Sequence, residues 1–190
     1  MRLTNHWVKR FVLLYFFLSY CFCNQYLLYA EDSVEAEVLV LKNRFYAKKV
    51  LKLIRNASKN IRLVLSECEY SDSKKIISNI LLEELVLQAK RGVRVEVILE
   101  RGEGLEFGKK NVLAWNYLSK NGMKLYPDSK KFMSRVNFLV VDDFTSVVGS
   151  LTWTEKSFAE NRELELWLES KDFATKMIDV FDSLKIYQYE

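Results

Sequence analysis

Downstream of Glu37 the apolar residues switch repeatedly between two spacings, every second residue and every third or fourth, with only a few residues between switches. A short β-type run over Glu37 to Leu41 precedes helical spacing over Tyr46 to Ala57, which carries Val50, Leu51, Leu53 and Ile54. Ile61 to Leu65 predicts a strand. Lys74 to Arg91 predicts a helix with Ile77, Leu81 and Leu85 on one face and Gly92 as its C-terminal stop. Val93, Val95 and Val97 then alternate with Arg94 and Glu96, so a strand to Leu99 follows almost without a link. A further helix over Asn111 to Lys120 ends at Asn121-Gly122, and a short strand over Met123 to Tyr126 ends at Pro127. Strands and helices taken in turn confine the chain to an α/β layered architecture.

The last third changes character. Val136 to Val141, Ser146 to Val148 and Glu163 to Leu168 read as strands without long helices between them, and Asp142-Asp143-Phe144-Thr145 suits a hairpin turn. Leu164, Leu166 and Leu168 alternate with Glu163, Glu165 and Trp167, which predicts the leucines toward the core and the other face partly wet. A closing helix over Lys171 to Lys185 turns Phe173, Met177, Ile178 and Phe181 inward. The expected fold is therefore a layered mixed sheet flanked by helices. Among 190 residues, 49% apolar, one Pro and six Gly leave no linker-like stretch, so residues 31–190 are expected to form one domain.

Residues 1–30 read differently. Lys9-Arg10 precedes an apolar and aromatic run from Phe11 to Cys23 that only Ser19 interrupts, which fits a signal-peptide core. Asn24-Gln25 breaks the run, Tyr26 to Ala30 resumes it, and Glu31-Asp32 ends it, so the span alternatively serves as an uncleaved membrane anchor. Basic residues before and acidic residues after predict that the domain lies outside the cytoplasm: exported, periplasmic, secreted or anchored. Arg2, Lys9 and Arg10 are basic and no acidic residue precedes Glu31, so they account for most of the net charge of +4. The remaining chain is nearly balanced, which gives no bulk electrostatic footprint for nucleic acid.

The single histidine, His6, falls in that leading segment, so no imidazole is available inside the domain. Cys21 and Cys23 belong to the same segment and Cys68 stands alone, which leaves no histidine or cysteine set for a metal and no internal disulfide. Ser134, Ser150 and Cys68 are conceivable nucleophiles, but none has a base beside it in sequence. Trp153 and Trp167 read as core or interface aromatics rather than a stacking platform for bases.

Three separated pieces in the last third fall in a familiar order: Arg135-x-Asn137-x4-Asp142, then Gly149-Ser150-x-Thr152-Trp153-Thr154, then Asn161-x-Glu163. This layout resembles the phospholipase D superfamily, whose members carry His-x-Lys-x4-Asp, then Gly-Ser with an Asn two residues on, then Asn-x-Glu. Leu82 to Glu100 is similar to the helix-Lys-Arg-Gly-Val-strand segment of single-domain bacterial members, and the likeness extends over about residues 37–170. It implies a phospholipase D-like fold and a phosphodiester ligand, either nucleic acid or phospholipid. It further implies metal-independent chemistry without a cofactor, and two subunits that each contribute a histidine, as a homodimer or as a heterodimer with a related domain.

Two positions depart from the pattern, with Arg135 where the family has the nucleophilic His and Asn137 where it has the phosphate-neutralising Lys. A guanidinium stays protonated at pH 7 and neither attacks phosphorus nor passes a proton, and a carboxamide carries no charge. Asp142 and Glu163 keep their motif places, while Arg135, Ser150, Thr152 and Asn161 are the candidate phosphate contacts. Each has a plainer alternative: Asp142 can open a turn, Gly149 can permit close strand packing, and Glu163 can lie on a wet strand face. Arg135 is expected to pair with Glu163. The resulting expectation is a non-catalytic domain that serves binding or assembly; the alternative is a phosphodiesterase, nuclease or phospholipase D in type, active only with an intact partner subunit.

Overall fold

The computed structural model of the chain describes residues 33–100, 106–128 and 135–186. The chain divides into two units, Met1–Glu35 and Ala36–Glu190, and all elements below belong to the second. The predicted leader and Ser134 lie outside the described residues. Among the described residues no helix is long and apolar enough to cross a membrane.

Seven strands form one mixed sheet: β1 (Glu37–Lys42), β2 (Asn60–Leu65), β3 (Arg94–Leu99), β4 (Lys124–Pro127), β5 (Phe138–Val141), β6 (Thr145–Gly149) and β7 (Leu164–Glu169). Their spatial order is β1-β7-β6-β5-β2-β3-β4. Strands β2, β3 and β4 are parallel, whereas β5 joins β2 antiparallel and β6, β7 and β1 continue antiparallel. Among the described residues five helices complete the layers: α1 (Asn43–Arg55), α2 (Ile77–Lys90), α3 (Glu106–Lys120), the short α4 (Glu155–Ala159) and α5 (Lys171–Ile186). The expected mixed sheet with flanking helices is what forms.

Each sheet face has its own core, because successive residues of a strand point to opposite sides. Ile61, Leu63 and Leu65 of β2 pack with Val95, Val97 and Leu99 of β3 against Val50 and Ile54 of α1 and Leu81, Leu82 and Leu85 of α2. On the opposite side Val64, Ile98, Phe138 and Val140 meet Ala174 and Phe181 of α5. Gly92 ends α2 at φ +95°, a left-handed conformation natural to glycine, and its N–H bonds the Ala89 carbonyl while that of Val93 bonds Gln88. Glu96, whose charge this layering buries, is paired: it accepts from Lys124 Nζ at 2.9 Å and from the Tyr126 hydroxyl at 2.8 Å.

One strand departs from the sequence reading. On β7 it is Glu165 that is buried, at 2% exposure, while Leu164 and Leu166 are 55% and 38% exposed; of the three leucines only Leu168 is buried. The Glu165 side lies over the larger core, where Trp167 also packs. The leucine side belongs to the α5 face, which α5 covers only in part. Leu166 pairs across β7 and β1 with Val40, itself 55% exposed, so an apolar strip remains open there.

Candidate functional site

The motif residues belong to two different ends of β5. At its start, Arg135 and Asn137 lie beside the point where antiparallel β6 finishes at Gly149-Ser150 and where β2 and β3 run out into Ser66-Glu67 and Glu100. Ser66, Glu67, Glu100, Arg135, Asn137, Ser150 and Thr152 line one cavity of about 330 Å³ at that edge. It sits outside the carboxyl ends of the parallel strands, the usual location of ligand crevices in open α/β sheets.

Asn137 is fixed by its carbonyl: Oδ1 accepts the Ser66 N–H at 2.9 Å and the Ser66 hydroxyl at 3.0 Å. This orientation leaves the amide hydrogens as donors on the cavity side. Arg135 is exposed and no ion pair joins it to Glu163, contrary to the expected pairing. Glu163 instead accepts the Ser150 hydroxyl on Oε2 and the Asn161 amide on Oε1 at 2.9 Å. The charge of Arg135 acts on Glu100, whose carboxyl is raised above its usual range first by burial, then by Asp128 and Glu67, with Arg135 opposing.

Ser150, Asn161 and Glu163 thus form a connected set at the rim, and Thr152 shares its hydroxyl with Ser157 Oγ at 2.7 Å. Behind them lies Glu165, which accepts the Leu151 N–H at 2.6 Å. Burial pushes its carboxyl up to about 7, the backbone N–H groups of Leu151 and Ser150 oppose the rise, and Glu163 adds to it. Gly149 permits this approach, since a Cβ there would collide with the Leu164 carbonyl and the Glu165 carboxylate. The plainer reading of Gly149, close strand packing, is the one its surroundings support.

Asp142 stands apart. It lies past the far end of β5, where it and Asp143 adopt φ +55° and +57° and the Phe144 N–H closes the turn on the Val141 carbonyl. Its carboxylate accepts N–H groups from Ser58, Lys59 and Asn60 and the Ser58 hydroxyl. Burial opposes its ionisation, but those donors together hold the carboxyl below the usual range. Asp142 opens a hairpin and clamps the α1–β2 link; it does not reach the cavity.

Glu67, Glu100 and Asn111 escaped sequence reasoning. Asn111 bridges two strand ends, donating from Nδ2 to the carbonyls of Ser66 and Glu100 and accepting the Cys68 N–H at 2.7 Å. The available signal was position alone, since Glu67 and Glu100 come just after predicted strands. Cys68 is fully buried and burial pushes its thiol up, which removes it as a nucleophile. Trp153 is a core residue, donating to the Tyr46 hydroxyl at 3.0 Å. No group of His, Cys, Asp or Glu among the described residues is arranged to hold a metal.

The profile of a family described as "Cardiolipin synthase, PLD-like domain" matches residues 50–185. No curated protein sequence matches the chain. Among solved structures, Nuc from Salmonella typhimurium, a phospholipase D family member, aligns with a TM-score of 0.66 and 22% identity over 79% of this chain and 94% of that one. NucT from Helicobacter pylori aligns at 0.62 and 14% identity over 79% and 96%. Phosphatidylserine synthase from Haemophilus influenzae aligns at 0.61 and 14% identity over 76% of this chain and 36% of its own. These three are likenesses of fold; the family profile extends over well more than half of the sequence, and on that ground the chain belongs to the phospholipase D-like domain family.

Proposed function

We propose that the chain is a non-catalytic phospholipase D-like domain, exported or held at a membrane by residues 1–30, that keeps the family fold for binding or assembly. The observation that carries this reading is the substitution at the cavity mouth. Arg135 occupies the nucleophile's place, and a guanidinium has no lone pair to offer phosphorus at neutral pH. Asn137, in the place of the phosphate-neutralising lysine, has its carbonyl tied to Ser66 and contributes no charge. Glu67 and Glu100 in the lining of the same cavity oppose the negative charge of a phosphodiester.

A second reading draws on the retained Ser150, Asn161 and Glu163 set. It is the kind of support that a histidine from an intact partner subunit would face across a heterodimer, giving a phosphodiesterase active only in company. The test is hydrolysis of bis(p-nitrophenyl) phosphate, DNA and phosphatidylcholine by the purified full chain, with and without added divalent metal. No turnover is expected under either condition. Turnover that survives repurification and disappears in Ser150→Ala would overturn the non-catalytic reading, and turnover only after mixing with an intact family member would establish the second.

A further inference from the structure

The near balance of charge beyond Ala30 hides an uneven distribution. Between Val38 and Ser66 stand Lys42, Arg44, Lys48, Lys49, Lys52, Arg55, Lys59 and Arg62 and no Asp or Glu, whereas the rest of residues 31–190 carries 18 basic and 25 acidic residues. Helix α1 gathers much of this excess on one side, because residues three and four apart share a helix face. Tyr46, Val50 and Ile54 turn into the larger core, while Phe45, Lys48, Lys49, Lys52 and Arg55 form an exposed stripe, with Lys59 exposed just past the helix end. Arg55 meets Glu84 at 2.8 Å, and Lys49 lies over the Trp167 ring at 5.8 Å. Lys42, Lys48, Lys52 and Lys59 have no ion pair among the described residues. Lys52 follows Lys48 by four residues and Lys49 by three, so like charges neighbour one another and cost the helix stability. The helix dipole offsets this for Lys52 and Arg55 in the last turn, but Lys48 and Lys49 lie before it. Apolar side chains border the stripe: Phe45 is 50% exposed one turn before Lys48 and Lys49, and Leu39 of β1, 43% exposed, pairs across the strands with Trp167 beneath Lys49.

We propose that this face of α1 lies against an anionic lipid surface, its lysines among the headgroups and Leu39 and Phe45 at the edge of the acyl region. Lysine suits such a partner, since its compact charge rides on a flexible apolar stem and requires no fixed geometry from the anion it meets. Basic side chains bordered by exposed apolar ones are the composition of elements that rest in a membrane interface. The apolar run that starts at Phe11 ends at Ala30, a few residues before β1, so a chain held by it meets the surface at high effective concentration. A nucleic acid would take up the same charge but would leave Leu39 and Phe45 against a polar backbone. None of these residues lines the cavity, so this contact is independent of the role read from the cavity.

The full chain in nanodiscs of phosphatidylcholine, alone or with about one third phosphatidylglycerol, is acetylated with a water-soluble ester and the rate at each lysine is followed by mass spectrometry. Both discs hold the leading segment alike, so a difference between them reports the domain. Lys48, Lys49 and Lys52 are expected to react about fivefold more slowly on the anionic discs, the factor that one basic residue gains near such a surface. Lys120, at the end of α3, and Lys171 of α5, which packs on the opposite sheet face, should react alike on both. Sodium chloride at about 1 M should abolish the protection, since it screens charges beyond a few ångströms. Lys48→Gln, Lys49→Gln and Lys52→Gln combined, all at exposed positions, should leave the urea midpoint no lower and cancel the protection of Lys42 and Lys59. Equal rates on the two discs, protection that extends equally to Lys120 and Lys171, or protection that survives in the triple variant would overturn the proposal. Protection by added duplex DNA on phosphatidylcholine discs, with none from phosphatidylglycerol, would overturn it in favour of a nucleic-acid partner. Turnover in the hydrolysis assay would sink the non-catalytic reading and leave this contact untouched, so the two fail separately.

Discussion

The two ends of β5 are built from similar residues to opposite effect. At the hairpin end, Asp142 accepts three backbone N–H groups and a hydroxyl, while Asp143 accepts Asn60 Nδ2 at 2.9 Å and Arg62 at 2.7 Å. Every carboxylate there has donors close around it. At the opening end, Arg135 and Glu100 line a shared space, and neither has an ion pair among the described residues. A fold needs charge satisfied where charge serves to hold loops together; charge left unsatisfied inside a cavity is the mark of a place where something else completes it.

The largest expected effect lies at the hairpin end. Asp142→Ala leaves the Ser58, Lys59 and Asn60 N–H groups without their acceptor and puts a β-carbon residue at φ +55° without the local hydrogen bonding that Asp provides. A loss of about 2–3 kcal/mol is expected in urea unfolding. Asp142→Asn should lose distinctly less, because Asn tolerates the left-handed conformation. Equal losses for the two would mean that the charge, not the turn geometry, dominates.

An intermediate effect is expected at Glu165, behind the cavity, and it depends on pH. Its carboxyl rises from 4.5 to about 7 on folding, so between those values the folded chain holds a proton that the unfolded chain has released. Stability contributed by this group therefore falls as pH rises through that window and levels off above about 7. Glu165→Gln should remove the decline, gaining about 1–3 kcal/mol over the parent between pH 4.5 and 8. Parallel pH profiles of the urea midpoint in parent and variant would show that the carboxyl is ionised throughout. The smallest effect is expected for Arg135→Ala, within about 0.5 kcal/mol of the parent, since it removes an exposed side chain with no ion pair among the described residues. A larger loss would place Arg135 among the residues that hold the fold.

What the sequence disclosed was mostly local. The alternation of spacings, the stop at Gly92 and the hairpin at Asp142-Asp143 depend on residues near one another, and all three are present. The faces of β7 were read the wrong way round, because which side of a strand is buried depends on the extent of α5 and on β1, elements remote in sequence. The spacing of the motif pieces pointed to the family and brought Arg135, Asn137, Ser150 and Thr152 to one cavity. It did not place Asp142, whose partners lie more than eighty residues away. Nor did it find Glu100, a single acid after a strand that only the sheet order brings to the same cavity as Arg135.

The pairing of β1 with β7 has a temporal side. Glu37 lies opposite Glu169, so the first strand of the sheet can be hydrogen-bonded only when the last has been made. Until then β1, whose Val38, Leu39 and Val40 stay exposed even in the finished sheet, also leaves its backbone unpaired. Closing such a long loop makes this contact one of the most non-local in the domain, and topologies dominated by such contacts fold slowly. Synthesis up to the end of β6 would thus yield a chain with most of its parallel core in hand and its first strand still waiting, a species open to capture by any other unpaired edge until β7 arrives.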